Sequence, residues 1–106
     1  MLTQSAFEIQ AKLCQAMGHA IRLEIVYILR DEPRRVGDLV EILDLPQPTV
    51  SRHVSILRNA GILTQLHGQG GLFYQIANPK ILNVCDLMRE VLTEQYAQQS
   101  QLIDQL

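Results

Sequence analysis

No apolar run in this 106-residue chain approaches the roughly 20 residues that cross a bilayer, so no transmembrane segment is expected. The opening MLTQSAFEIQAKL lacks a basic n-region and carries Glu8, so no secretory signal is expected and the cytoplasm is the expected location. Cysteine is scarce: only Cys14 and Cys85 are present, with no C-x-x-C. In a reducing compartment such a pair is not a structural staple by default. The chain also lacks a Ser-His-Asp order, a P-loop and Rossmann glycines, which argues against an enzyme, a thiol oxidoreductase included, and leaves no cofactor to expect. What is there, 47% apolar and 19% charged residues, is a globular composition sized for one domain over 1–106.

A local absence says more. The formal net charge is -2, yet all eleven acids lie at or before Asp44 or at and after Asp86. Between Leu45 and Lys80 stand Arg52, Arg58, Lys80, His53 and His67 with no Asp or Glu. A mildly acidic protein can still carry one face that tolerates a polyanion, although clustering in a short chain also arises by chance.

Apolar spacing predicts the elements. Phe7, Ala11 and Cys14 recur at i, i+4, i+7, with Leu13 and Met17 beside them, on a first helix over 2–17. A second helix runs from Ala20 to Arg30, with Ile21, Ile25, Ile28 and Leu29 on one side and Leu23 and Val26 widening the face, so it should be central. Asp31-Glu32-Pro33 ends it, because the residue before proline leaves the helical region. Val36 to Leu43 is a short third helix with Leu39, Val40 and Leu43 inward, and Asp44-Leu45-Pro46 is a turn. The fourth helix starts near Gln47, with Pro48 in the first turn where a missing amide donor costs nothing. Val50, Val54 and Leu57 face its core side, and Gly61 stops it in the left-handed region. A short helix, a tight turn and a second helix make a helix-turn-helix pattern. Ile62 to Leu66 and Leu72 to Ala77 then form a hairpin around HGQGG. A last helix from about Pro79 carries Ile81, Cys85, Met88 and Leu92 on one stripe, with Val84, Leu87 and Val91 adjoining. Beyond Tyr96 the glutamine-rich QQSQLIDQL is expected to fray. The expected class is mainly α with a small β-hairpin, in the order α-α-α-α-β-β-α.

With Val50, Val54 and Leu57 buried, steps of about 100° turn Pro48, Arg52, Ser55 and Asn59 outward, flanked by Thr49, Ile56 and, more laterally, His53. Gln47 and Ser51 are exposed on the first turn. These are side chains for a major groove: Arg pairs with guanine, Gln with adenine, and Thr or Ile touches a thymine methyl. A carboxylate here would face phosphates. The plain alternative is an amphipathic surface helix, or a protein-binding helix, which would expose an apolar patch. The hairpin tip, with His67 and Gln69, fits a wing that contacts phosphate or a minor groove, but it lacks Lys and Arg.

GHAIRLEIVYIL, then RRVGDLVEILDLPQPTVSRHVSILRNAGIL, then a glycine hairpin ending FYQI, resembles the ArsR/SmtB family of winged-helix transcriptional repressors from about Met17 to Asn78. The resemblance implies a homodimer, joined through its first and last helices, on a palindromic operator in double-stranded DNA. It also implies release when an inducer is sensed. Gln47, Thr49, Ser51, Arg52 and His53 match the family's recognition-helix contacts; Arg58 meets a phosphate or an acidic neighbour, and His53 could equally be structural. The family's cysteine metal site falls on Arg35 and Gly37, and its last-helix site needs histidines that do not occur after His67, so neither site is present. Asp86, Glu90 and Glu94 form an acidic row of the kind that is usually a solvated face. No metal site is therefore expected. Cys14 and Cys85 remain, either as space-filling residues or as a thiol pair answering to reactive sulfur or an oxidant. The family's two-cysteine members place one cysteine where this chain has Tyr27 and the other beyond Cys85, so this pair is a variant. Arsenite is the other inducer considered; it prefers three sulfurs, which would require ligands from both protomers.

Overall fold

A computed structural model describes residues 4–97. The elements are α1 (Gln4–Met17), α2 (Ala20–Ile28), α3 (Val36–Leu43), α4 (Gln47–Asn59), β1 (Leu63–Gly68), β2 (Gly71–Ile76) and α5 (Lys80–Gln95). The start of the first helix at residues 2–3 and the glutamine-rich tail QQSQLIDQL lie outside the described residues. Among the described residues, no helix is long and apolar enough to cross a membrane.

Local chemistry sets the boundaries. His19 is the N-cap of α2, and its Nδ1 accepts from the Ile21 amide at 3.2 Å. α2 stops at Ile28, two residues earlier than its apolar pattern, and Leu29 turns into the core as the C-cap. Arg35 and Asp38 form a capping box at the start of α3. Asp44 closes α3 with φ 54, a left-handed conformation that a short polar side chain tolerates. Pro46 then caps α4 through its carbonyl, which accepts from the Thr49 amide at 3.1 Å and the Val50 amide at 3.2 Å. Gly61, at φ +80, releases the chain from α4 toward β1.

The core gathers around α4. Val50, Val54 and Leu57 pack with Ile25, Val26, Leu39 and Ile62, all fully buried, while Leu13, Met17 and Cys85 pack against that cluster from outside. Full burial of one such side chain contributes about 1.5–3 kcal/mol, so α4 is the best anchored helix. Leu23 does not widen the inner face of α2: it is exposed, because the face centred on Ile25 and Val26 already fills the space over α4.

β1 and β2 pair antiparallel from Leu63 opposite Ile76 to Gly68 opposite Gly71. The loop is therefore the two-residue Gln69-Gly70, tighter than the five-residue HGQGG link, because Gly70 and Gly71 adopt φ +100 and +121 that other residues rarely reach. A third segment joins the hairpin. Arg34 bridges Tyr74, each amide donating to the other's carbonyl at 3.0 and 2.8 Å.

Candidate nucleic-acid interface

α4 presents a polar outer face over an apolar inner one. Gln47, Arg52, Ser55 and Arg58 are exposed, and Thr49 and Ser51 are half-buried at the first turn. The helix has no acidic residue, so nothing on it opposes an approaching phosphate. Ile56 is the exposed apolar exception, a single side chain rather than a patch.

Of the two roles the sequence left open for His53, a lateral contact on the outer face and a structural one, its burial corrects the first and fits the second. His53 is 3% exposed and belongs to the inner side. Position 53 stands three residues after Val50 and four before Leu57, and that spacing puts it on their face. Its Nδ1 lies 3.1 Å from Nη1 of Arg22, and its ring centroid is 4.5 Å from that of His19. Burial pushes the His53 pKa down, and the charges of His19, Arg22 and Arg52 act in the same direction. His53 thus sits beneath the reading face and reaches no base from it.

The wing receives a cation from elsewhere in the chain. His67 and Gln69 are exposed at the hairpin tip, as expected for a wing. The Arg34–Tyr74 bridge brings Arg35 alongside them: Arg35 Nη1 donates to the Gly70 carbonyl at 3.3 Å, and its guanidinium lies 5.8 Å from the Phe73 ring centroid. Asp38 accepts from Arg35 Nη2 at 3.1 Å and is held below the usual carboxylate range by that contact. The sequence reading missed Arg34 and Arg35 at this site. Their signal was an RR doublet just before a helix, but its link to the hairpin spans 35 residues.

The residues that build this helix-turn-helix are the ones that relate the chain to known proteins. A family model, the bacterial regulatory protein, arsR family, matches residues 19–65. Over 88 residues the chain is 34% identical to the transcriptional repressor PagR of Bacillus anthracis, covering 81% of this chain and 87% of that protein. The chain belongs to the arsR family. The PagR crystal structure overlays it at TM-score 0.71 and 32% identity, over 81% of this chain and 99% of that one. Identity to the HTH-type transcriptional repressor SmtB of Mycobacterium tuberculosis is 34% over 73 residues, 69% of this chain and 54% of that protein, so the chain spans about half of that relative's length. A solution structure of a homodimeric winged helix-turn-helix DNA-binding domain from Mycobacterium bovis shares the fold at TM-score 0.78 and 20% identity, over 89% of this chain and 92% of that one.

In this arsR-family chain the helices flanking the winged unit are poorly covered. On α5 no residue is fully buried, and Val84, Leu87, Met88 and Val91 are exposed. On α1, Phe7 and Ile9 are exposed. The α5 stripe assigned from spacing is thus only half inward: Ile81, Cys85 and Leu92 are partly covered, while Met88 points outward. Arg30 fastens α5 to the end of α2 by donating to Asp86 Oδ1 at 2.6 Å, which holds the Asp86 carboxyl below its ordinary range. The two cysteines are free and differently placed. Cys14 is exposed, one helical step from the core-facing Leu13, whereas Cys85 packs against the core. Burial, reinforced by Asp86, pushes the Cys85 thiol up against the opposing pull of Arg30 and Arg89, so its thiolate is disfavoured. Among the described residues no three His, Cys, Asp or Glu side chains converge on a possible metal position.

Proposed function

We propose that this chain is a cytoplasmic, sequence-specific DNA-binding transcriptional repressor that acts as a homodimer on a palindromic operator. The observation that carries the proposal is the acid-free outer face of α4, held over the buried Val50, Val54 and Leu57. Gln47, Thr49, Ser51, Arg52 and Ser55 are the base-reading candidates, and Arg58, His67 and Gln69 the backbone contacts. PagR and SmtB, both repressors by name, support the reading through their identity to the chain. The uncovered apolar residues of α1 and α5 support a two-fold partner, which would set two α4 helices in successive major grooves about 34 Å apart.

For the switch, the reading is thiol chemistry at Cys14 and Cys85. An oxidant or reactive sulfur species, itself reduced, takes two electrons from the thiols and leaves a bridge between them. Cys14 is exposed on α1 and Cys85 packs against the core from α5, so a bond joining them would shift the two helices and with them the spacing of the α4 helices. Arsenite held by cysteines of both protomers is the competing chemistry, and space-filling cysteines with another inducer are the third.

The test is binding to the protein's own upstream DNA, reduced and after disulfide, polysulfide, hydrogen peroxide or arsenite, for the wild type, Cys14→Ser and Cys85→Ser. The expected result is salt-sensitive, sequence-preferring binding that is lost on treatment and retained in both variants. Failure to bind that DNA removes the repressor reading, and a wild-type response in both variants removes the thiol switch.

A further inference from the structure

Arg22 makes three contacts that the DNA-reading face does not account for. Its Nε donates to the Ala16 carbonyl at 2.6 Å and its Nη2 to the Gln15 carbonyl at 3.3 Å. Both carbonyls belong to the last turn of α1, where helix acceptors lack partners within the helix, so the guanidinium caps α1. The third arm, Nη1, lies 3.1 Å from Nδ1 of His53 on α4. An arginine has donors only, so His53 Nδ1 must be the acceptor and the ring proton sits on Nε2. One side chain of α2 therefore holds the end of α1 and the middle of α4 together.

We propose that Arg22 and His53 are positioning residues that tie the C-terminal turn of α1 to the DNA-reading helix, and that DNA affinity falls when His53 takes up a second proton. The proposal rests on the reading that α4 binds DNA. A proton on Nδ1 removes the acceptor and sets two positively charged donors against each other at hydrogen-bond distance. The charged and titratable groups acting on His53 are His19, from the cap before α2, Arg22 on α2 and Arg52 on α4 itself; no carboxylate is among them. His53 is buried, so water offers the new charge little relief. Either α4 moves or Arg22 lets go of α1. Because α1 also carries the exposed Phe7 and Cys14, the same link joins the thiol-bearing helix to the reading helix.

The sign separates this device from general electrostatics. Acid adds positive charge to the protein and would otherwise tighten its hold on phosphates. Burial keeps His53 neutral through the physiological range, and its protonation belongs to pH values below the ordinary histidine pKa of about 6.5. The experiment is fluorescence anisotropy on the chain's own upstream DNA at constant ionic strength, from about pH 7.5 down to the lowest pH at which circular dichroism shows intact helix. Loss of one charge-assisted hydrogen bond predicts roughly tenfold weaker binding by the wild type at the acid end. His53→Asn, which offers an acceptor but cannot titrate, should lose the fall and keep only the tightening that added positive charge gives in acid. Unchanged or tighter wild-type binding in acid, or the same fall in His53→Asn, overturns the proposal. If no DNA binds at any pH, the DNA reading fails separately, and nitrogen NMR of the His53 ring still decides the bridge. A proton on Nδ1 at neutral pH would overturn it, and an unprotonated Nδ1 whose titration speeds amide exchange in α4 supports it.

Discussion

Replacing Leu87 by serine should break the proposed dimer without unfolding the protomer. Leu87 is 60% exposed on α5, so the protomer loses little packing when the side chain is cut back. Full burial of a leucine contributes about 1.5–3 kcal/mol, so covering that exposed share would contribute about 1–2 kcal/mol per copy. An isologous interface uses the residue twice, which makes the loss about 2–4 kcal/mol per dimer. At about 1.4 kcal/mol per factor of ten, the dissociation constant of the dimer should rise roughly 30- to 700-fold. Sedimentation equilibrium measures that constant, and thermal unfolding monitored at high concentration shows whether the protomer still folds. Ile42→Ser is the control, because Ile42 is also an exposed aliphatic residue but stands on α3, not on α1 or α5. Operator affinity should fall with dimerisation in Leu87→Ser and hold in Ile42→Ser. Equal dissociation constants for Leu87→Ser and wild type would refute the assignment of α5 to the interface.

Three further outcomes are expected. Arg52→Ala should cost about 1–3 kcal/mol of operator binding and much less on unrelated DNA; equal losses in competition assays would make Arg52 a phosphate contact instead. Gly61→Ala should lower the thermal midpoint by several degrees: there is open space around the position, so the penalty is the backbone at φ +80, about 1 kcal/mol, and an unchanged midpoint would contradict that origin. Asp86→Asn should lower stability at neutral pH, with the difference from wild type fading in acid. The native Asp86 carboxyl is held below its unfolded value by Arg30, so its contribution is present above about pH 3.9 and disappears as pH falls through the lower native value; a gap that persists in strong acid, read from denaturant midpoints, would refute the linkage.

Much of the winged unit was legible because its determinants are local. Val36 to Leu43 matched α3 to the residue, since its apolar spacing ends at Asp44 and Pro46 opens the next element. α4 followed from Pro48, from the triplet Val50, Val54 and Leu57, and from Gly61. α2 was read two residues too long, because Leu29 keeps the apolar period although it already serves as the cap. The hairpin glycines were counted as loop, whereas the positive φ of Gly70 and Gly71 lets the strands run on to a two-residue turn.

The site divides the same way. Its acid-free outer face is a property of composition and helical period, so the sequence by itself determined which face could accept a polyanion and, His53 apart, which side chains stand on it. Three matters were decided only in three dimensions. The partner that His53 meets beneath α4 is Arg22, 31 residues away. Arg35 reached the wing because Arg34 pairs with Tyr74 across the hairpin. Cys14 and Cys85 parted, one exposed and one against the core, because neighbouring positions on a helix differ by about 100° in direction. Periodicity names the face a helix can bury, but a residue at the margin of that face goes where a partner from another element satisfies it.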